Sequence, residues 1–363
     1  MNIWPDRRLL ELFGIEVPIV QAPMAGPGTA ELAIAVSDAG GLGSLPCAQL
    51  SLEQARAALD FIRLRTSRSL NLNFFCHPPP VANAVRSLTW RARLAPYYVE
   101  LGLDPEASVP VAGRQPFDGD FCKLVELHRP KVVSFHFGLP PSALLERVKA
   151  TGAIVVSSAT TVAEARWLEE HGCDAIIAMG LEAGGHRGSF LVEDMSRQVG
   201  TFALVPQVVD AVAVPVIAAG GIADARGIAA AFALGAAAVQ IGTAYLFCPE
   251  TNLPQVHLDA LNGARDDDTI VTNVFTGRPA RGIVNRAMRE LGPLSSATPE
   301  FPLAAAALAP LKAKSEAAGS GDFTNLWSGQ AVRLARRSLP AGQLTRLLGQ
   351  EALEKLSALG HGP

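Results

Sequence analysis

Between residues 19 and 242 the chain repeats one pattern eight times: a short apolar or β-branched run, glycine or proline punctuation, then an amphipathic stretch. The runs fall at 19–24, 41–45, 70–75, 132–137, 154–158, 174–179, 214–219 and 238–242. Runs that are apolar throughout, without alternation, are what strands buried on both faces of a parallel sheet require, and each parallel crossover needs a helix. Eight such units in about 250 residues match the length of a closed barrel. The expected fold class is therefore α/β, a (β/α)8 TIM barrel over residues 1–249. A doubly wound open sheet is the competing topology, but no G-x-G-x-x-G opens a helix after the first strand and no G-x-x-x-x-G-K-[ST] occurs. The stretch 81–117, rich in Arg, Pro and Tyr, reads as a less regular insertion over one barrel mouth. After residue 249 the rhythm stops. Residues 250–363 read as a mostly helical segment packed on the barrel, with helices at 258–264, 303–318 (interrupted by Pro310) and 344–359, and an extended stretch near 269–275.

The bulk numbers exclude several function classes. A net charge of −3, with no Lys/Arg block, leaves no electrostatic footprint for nucleic acid. The five cysteines are scattered and never spaced C-x-x-C, which argues against a disulfide framework or a zinc site and fits a reducing compartment. The N-terminus has no apolar signal-like region, and no run is long enough to span a membrane. A cytoplasmic protein, monomer or homodimer, with a small-molecule substrate is expected.

Chemistry concentrates at the strands' C-terminal ends, where barrels of this type carry their sites. The richest end is Met179-Gly180-Leu181-Glu182-Ala183-Gly184-Gly185-His186-Arg187-Gly188. Its glycines let bare backbone approach a ligand, and His186 is its best group for proton transfer near neutral pH. Arg187 reads as a partner for a carboxylate such as Glu182, stiffening the loop. Gly220-Gly221 and Gly242-Thr243 close the last two strands, the usual barrel site for a phosphate, and Asp224 reads as a helix cap. Pro23, Met24, Asn73 and His136 end other strands. Cys47 reads as an inert buried thiol, Asp266-Asp267-Asp268 as a solvated turn, and His77 as a loop residue without a role; no metal site is expected. Tyr245 could reach the pocket from a strand end, but carries no assignment.

Gln21-Ala22-Pro23-Met24-Ala25-Gly26, the segments 180–188, 218–224 and 240–243, and the tail segment Thr276-Gly277-Arg278-Pro279-Ala280-Arg281-Gly282 together resemble the nitronate monooxygenase (2-nitropropane dioxygenase) family. The flavin-dependent enoyl-ACP reductases share Glu182-Ala183-Gly184-Gly185-His186 and Ala218-Ala219-Gly220-Gly221-Ile222. Ser134-Phe135-His136-Phe137-Gly138, Leu45-Pro46-Cys47-Ala48 and Leu72-Asn73-Phe74-Phe75 look like the monooxygenase side. The resemblance implies FMN held by Ala22, Pro23, Met24, Asn73, Ala183, Gly184, Gly220, Gly221, Gln240, Ile241, Gly242 and Thr243. It implies His186 as the catalytic residue and His136 as a substrate-binding one. Two departures stand out. Met179 occupies a position where relatives often have a Gln that bonds the flavin, and Phe301 and Ala305 fall where pocket tyrosines would be sought.

The reaction so implied is the FMN- and O2-dependent conversion of an alkyl nitronate, such as propionate 3-nitronate, or of a nitroalkane to a carbonyl compound and nitrite. His186 either removes the α-proton of a nitroalkane or holds the oxygens of a nitronate that arrives ionised. An NAD(P)H-dependent, enoyl reductase-like activity is the alternative.

Overall fold

Parallel pairing carries the eight apolar runs into one ring in the computed structural model, which describes residues 4–108 and 115–360. The strands in chain order are β1 (Ile19–Gln21), β2 (Gly43–Pro46), β3 (Leu70–Phe75), β4 (Val132–His136), β5 (Ile154–Ala159), β6 (Ala175–Met179), β7 (Gly185–His186), β8 (Val216–Ala219), β9 (Ala238–Ile241), β10 (Thr269–Thr272) and β11 (Ala280–Ile283). The ring runs β1-β9-β8-β6-β5-β4-β3-β2 with every pair parallel, and a single bridge from Val20 to Leu42 brings its two ends together. The architecture is that of a (β/α)8 TIM barrel. Its strands are almost wholly buried, as the unbroken apolar runs require.

Helices alternate with the strands and are started by side chains that satisfy free backbone N–H groups. Thr29, Thr161 and Asp224 each accept from the first turn of the following helix, and Ser51 with Gln54 completes a capping box. Gly43 shows why one strand start tolerates no side chain. A Cβ there would lie 2.0 Å from the Ala33 carbonyl oxygen of the preceding helix.

The tail is mostly helical, and the extended stretch expected near 269–275 is β10. β10, β11 and β7 form a small antiparallel sheet, so two strands from beyond residue 249 reach back to the glycine loop after β6. The helix Ala304–Ala317 runs through Pro310 without a break, giving up only the bond that the missing N–H would have made. The helix Ala341–Gly360 packs against the barrel helices Ala225–Ala233 and Ala30–Asp38.

Residues 81–117 are more regular than their composition suggested. A 17-residue helix, Ala84–Glu100, is capped by Asn83 and runs through Pro96. Its buried residues Trp90, Leu94 and Tyr98 recur every four positions and seat it on the tail. The Tyr98 hydroxyl donates to the Ala307 carbonyl at 2.6 Å, and the Trp90 indole to the Ala304 carbonyl at 3.3 Å. Residues 109–114 of this stretch, like Met1, Asn2 and Ile3 of the N-terminus, lie outside the described residues. Among the described residues no helix is long and apolar enough to cross a membrane.

Candidate active site

At the C-terminal end of the barrel the strand ends enclose a cavity of about 1270 Å³, counted out to its mouth. Ala22, Pro23 and Met24 follow β1, Asn73 lies within β3 and His136 ends β4. Ala183, Gly184 and His186 come from the loop after β6. Gly220 and Gly221 follow β8, and Gln240, Gly242 and Thr243 close β9. All of these sequence-predicted residues line the one cavity. Ile241 does not: it is fully buried in the core, and its carbonyl accepts from the Ala22 N–H at 2.8 Å. Period-two alternation explains the difference, because Gln240 faces the cavity and its neighbour must then face away.

The loop that carries His186 is held from three sides. β7 pairs with β11, setting His186 opposite Ala280. Arg281 donates from Nε to the Leu181 carbonyl at 2.9 Å, and Glu182 accepts from the Thr201 N–H and hydroxyl at 2.8 and 2.7 Å. Arg187, expected to pair with a carboxylate such as Glu182, instead turns its buried guanidinium onto backbone. It donates to the Gly180 carbonyl at 2.7 Å, the Met179 carbonyl at 2.9 Å and Gln198 Oε1 at 2.9 Å. A short, sharply turning loop leaves carbonyls unpaired inside the protein, and a five-donor guanidinium is the group that can collect several at once.

The His186 imidazole is engaged through Nε2 with Thr276 Oγ1 at 2.9 Å. His136 sits behind it, with Nε2 at 3.2 Å from the His186 carbonyl and Nδ1 at 2.7 Å from Ser158 Oγ. A carbonyl only accepts, so His136 Nε2 carries a proton. Burial pushes this imidazole down to about 3, and Arg278 and Arg187 act in the same direction. Neutral His136 therefore accepts from the Ser158 hydroxyl at Nδ1. Although His136 lines the cavity, both of its ring nitrogens are committed to holding the protein.

A strap formed by Trp327, Ser328 and Gly329, which no sequence pattern announces, also lines the cavity. The Gly329 N–H donates to Thr243 Oγ1 at 2.9 Å, the Gln330 N–H to the Glu182 carbonyl at 3.0 Å, and His257 Nε2 to the Trp327 carbonyl at 3.1 Å. The strap lies so close to the glycine loop that a Cβ on Gly184 would fall 2.5 Å from the Gly329 nitrogen. His257 too is missing from the sequence reading, because these contacts join segments far apart in the chain. Of the remaining singled-out residues, Cys47 is a buried thiol pushed up to about 12, and Tyr245 is buried with its hydroxyl 2.8 Å from Thr345 Oγ1. His77 is buried beside Phe301 and Phe137, and Asp268 pairs with Arg265.

Two buried histidines make acid stability a direct readout of this site. His257 is held down to about 4 by burial, aided by Lys312, and His136 to about 3. Both folded-state values lie below that of a free imidazole, so between about pH 6.5 and these values the unfolded chain binds more protons than the folded one. Stability is then fully present above about pH 6.5 and falls as the pH drops toward 4 and 3, by up to about 8 kcal/mol once both rings are charged. Urea unfolding at pH 7.0, 5.5 and 4.5 should show this decline. Replacing His257 with Gln should make the decline about half as steep, His136 supplying the rest; an equally steep decline in that variant would remove His257 from the account.

Comparison with known proteins agrees with this geometry. A sequence model of the family "Nitronate monooxygenase" matches residues 6–351. The chain belongs to the nitronate monooxygenase family. It is 41% identical to a nitronate monooxygenase of Pseudomonas aeruginosa over 95% of this chain and 98% of the relative. It is 38% identical to a probable nitronate monooxygenase of Staphylococcus aureus over 92% and 94% of the two chains. Among solved structures, a nitroalkane oxidase from Streptomyces ansochromogenes superposes with a TM-score of 0.87 at 36% identity, over 97% of this chain and 99% of that one. FabK from Thermotoga maritima follows at 0.73 and 30%, over 97% and 98%. Family membership makes this chain an oxidoreductase of nitronate or nitroalkane metabolism.

Proposed function

We propose that the protein uses FMN and O2 to convert alkyl nitronates, or the nitroalkanes from which they form, into a carbonyl compound and nitrite, with His186 facing the substrate. The observation that carries this reading is the meeting of His186 and the two glycine-rich strand ends on one cavity. The residues present fit the cofactor. Gln240 Oε1 is buried without a hydrogen-bond partner on the cavity wall, an acceptor suited to a ring N–H. Gly220 and Gly221 hold φ of 108° and 71°, a backbone that leaves N–H groups and no side chains around an anion. Gly220, Gly221, Gly242 and Thr243 would hold the phosphate; Ala22, Pro23, Met24 and Asn73 would border the ring. Bound there, the flavin supplies the electron transfer and the reaction with O2.

The protein's own part is proton handling and orientation. Thr276 Oγ1 lies 3.3 Å from the Arg278 carbonyl, which can only accept. With the hydroxyl proton directed there, Thr276 accepts from His186 Nε2–H, and the basic lone pair rests on Nδ1. That nitrogen can take the α-proton of a nitroalkane, and the resulting imidazolium can hold the nitronate oxygens. For a substrate that arrives ionised, only the second role is used. Met179, with a thioether that donates nothing, lines the cavity and leaves polar contact to the ring with Gln240 and Asn73.

The test is anaerobic mixing of FMN-loaded protein with a pre-formed nitronate, followed by visible spectroscopy. Rapid loss of flavin absorbance, with nitrite appearing once air is admitted, is expected. An unchanged spectrum with nitronate, but bleaching by NADH or NADPH, would replace this reading with an enoyl reductase-like one.

A further inference from the structure

We propose that His257 is a ligand-binding residue of the cavity, its Nδ1 accepting a hydrogen bond from an aliphatic hydroxyl of the bound cofactor or substrate. The inference rests on the flavin and nitronate reading above and concerns a polar atom to which that reading gives no role. His257 stands on the helix Gln255–Gly263, lines the cavity and is 4% exposed. Its Nε2 lies 3.1 Å from the Trp327 carbonyl, which can only accept, so Nε2 carries the proton. Burial keeps the ring neutral down to about pH 4. Nδ1 is therefore a bare lone pair. Among the described residues nothing donates to it, yet it is not enclosed by packing as both ring nitrogens of His128 are. It opens instead on the cavity that the ring lines.

A neutral imidazole lone pair answers an O–H or N–H, and neither an anion nor a carbonyl. Lys312, whose charge acts on the ring, donates elsewhere, to Asn325 Oδ1 at 3.1 Å. Nitronates and simple nitroalkanes carry no such donor, and the flavin ring N–H is matched by Gln240. What remains is a hydroxyl, on the ribityl chain of FMN or on the carbon chain of a hydroxylated nitro compound. The strap sets the scale. His257 holds it at the Trp327 carbonyl, and Thr243 Oγ1 holds it at the Gly329 N–H, two residues or at most about 7 Å of chain further on. Thr243 is among the residues assigned to the phosphate, and a ribityl chain covers a similar span between phosphate and ring. Trp327 also sets its ring 5.6 Å from that of His186, so a substrate held by His186 lies against the same wall.

The experiment uses the full chain and His257→Gln, whose amide nitrogen keeps a donor for the Trp327 carbonyl while the acceptor at the Nδ1 position is lost. Flavin fluorescence gives Kd for FMN and its 2′-, 3′- and 4′-deoxyribityl analogues, and steady-state rates on FMN-saturated protein give KM for 3-nitro-1-propanol and 1-nitrobutane. With the ribityl chain as donor, one deoxy analogue binds wild type roughly fivefold more weakly than FMN, and His257→Gln binds the two alike. With the substrate as donor, FMN binding is unchanged and the variant loses a roughly fivefold KM preference for the nitroalcohol. Neither change overturns the inference. Should the variant not fold, the Nδ1 signal of His257 in 15N-histidine-labelled wild type decides: it moves upfield with FMN or with the nitroalcohol, and no movement with either overturns the proposal. Wild type that binds no FMN, or oxidises neither nitro compound, overturns the reading above and this inference with it.

Discussion

Replacing His186 with Ala is expected to lower kcat/KM for a neutral nitroalkane by about 10²- to 10⁴-fold, the usual contribution of a positioned general base. With a pre-formed nitronate the loss should stay below about tenfold, because the proton is already gone. The expectation follows from the bonding of the ring. Nε2 is committed to Thr276 Oγ1, and His136, the other cavity-lining imidazole close to it, is locked between Ser158 and the His186 carbonyl and is neutral down to about pH 3. His136 cannot take over as a base without breaking a bond that supports the His186 backbone. Steady-state rates of wild type and variant on 2-nitropropane and on its nitronate, at one pH, make the measurement. Equal losses on the two substrates would reassign His186 from base to anion holder. No loss on either would remove it from the reaction.

Most of this site could be read from the chain because its parts are local. A parallel barrel strand is buried on both faces and so appears as an uninterrupted apolar run, and the glycines that end β6, β8 and β9 stand directly after those runs. Gly184, Gly220, Gly221, Gly242 and His186 could therefore be placed together from the order of the strands alone. What escaped was long-range or had no pattern to show. β7 is two residues long, too short for any period, and its partner β11 lies about a hundred positions away. The strap at Trp327–Gly329 and its support His257 are joined to the rest of the site by isolated hydrogen bonds between segments far apart in the chain, which carry no period. That the Ile241 side chain faces away from the cavity was legible in advance, since strand alternation sets it opposite Gln240. The helix Ala84–Glu100 was masked by its arginines and Pro96, although Trp90, Leu94 and Tyr98 already carried the helical spacing.

Arg187 shows the same limit most sharply, and it carries the second large effect. A lone arginine beside four glycines suggests a carboxylate partner, yet its partners are carbonyls that only the folded loop brings together. Its side chain is wholly buried, and burial, reinforced by Arg281, lowers its pKa to about 10, which still leaves it charged at neutral pH. Arg187→Met keeps much of the apolar volume but strands the Met179 carbonyl and Gln198 Oε1 without the guanidinium and leaves the Gly180 carbonyl only the Ala183 N–H at 3.1 Å. Each buried orphan costs about 1–3 kcal/mol, so a loss of about 3–5 kcal/mol in urea unfolding is expected, with the slope unchanged. Arg187→Lys should recover only part of it, because an ammonium point charge cannot reproduce the planar fork that reaches three acceptors. Because Gly180 and Met179 open the loop that ends in His186, the folded fraction of Arg187→Met should also turn over nitroalkane more slowly than wild type. A variant within about 1 kcal/mol of wild-type stability would show that water or loop rearrangement satisfies those carbonyls as well as the guanidinium does. The loop would then owe its shape to the β7–β11 pairing, the Arg281–Leu181 bond and the Glu182–Thr201 contact.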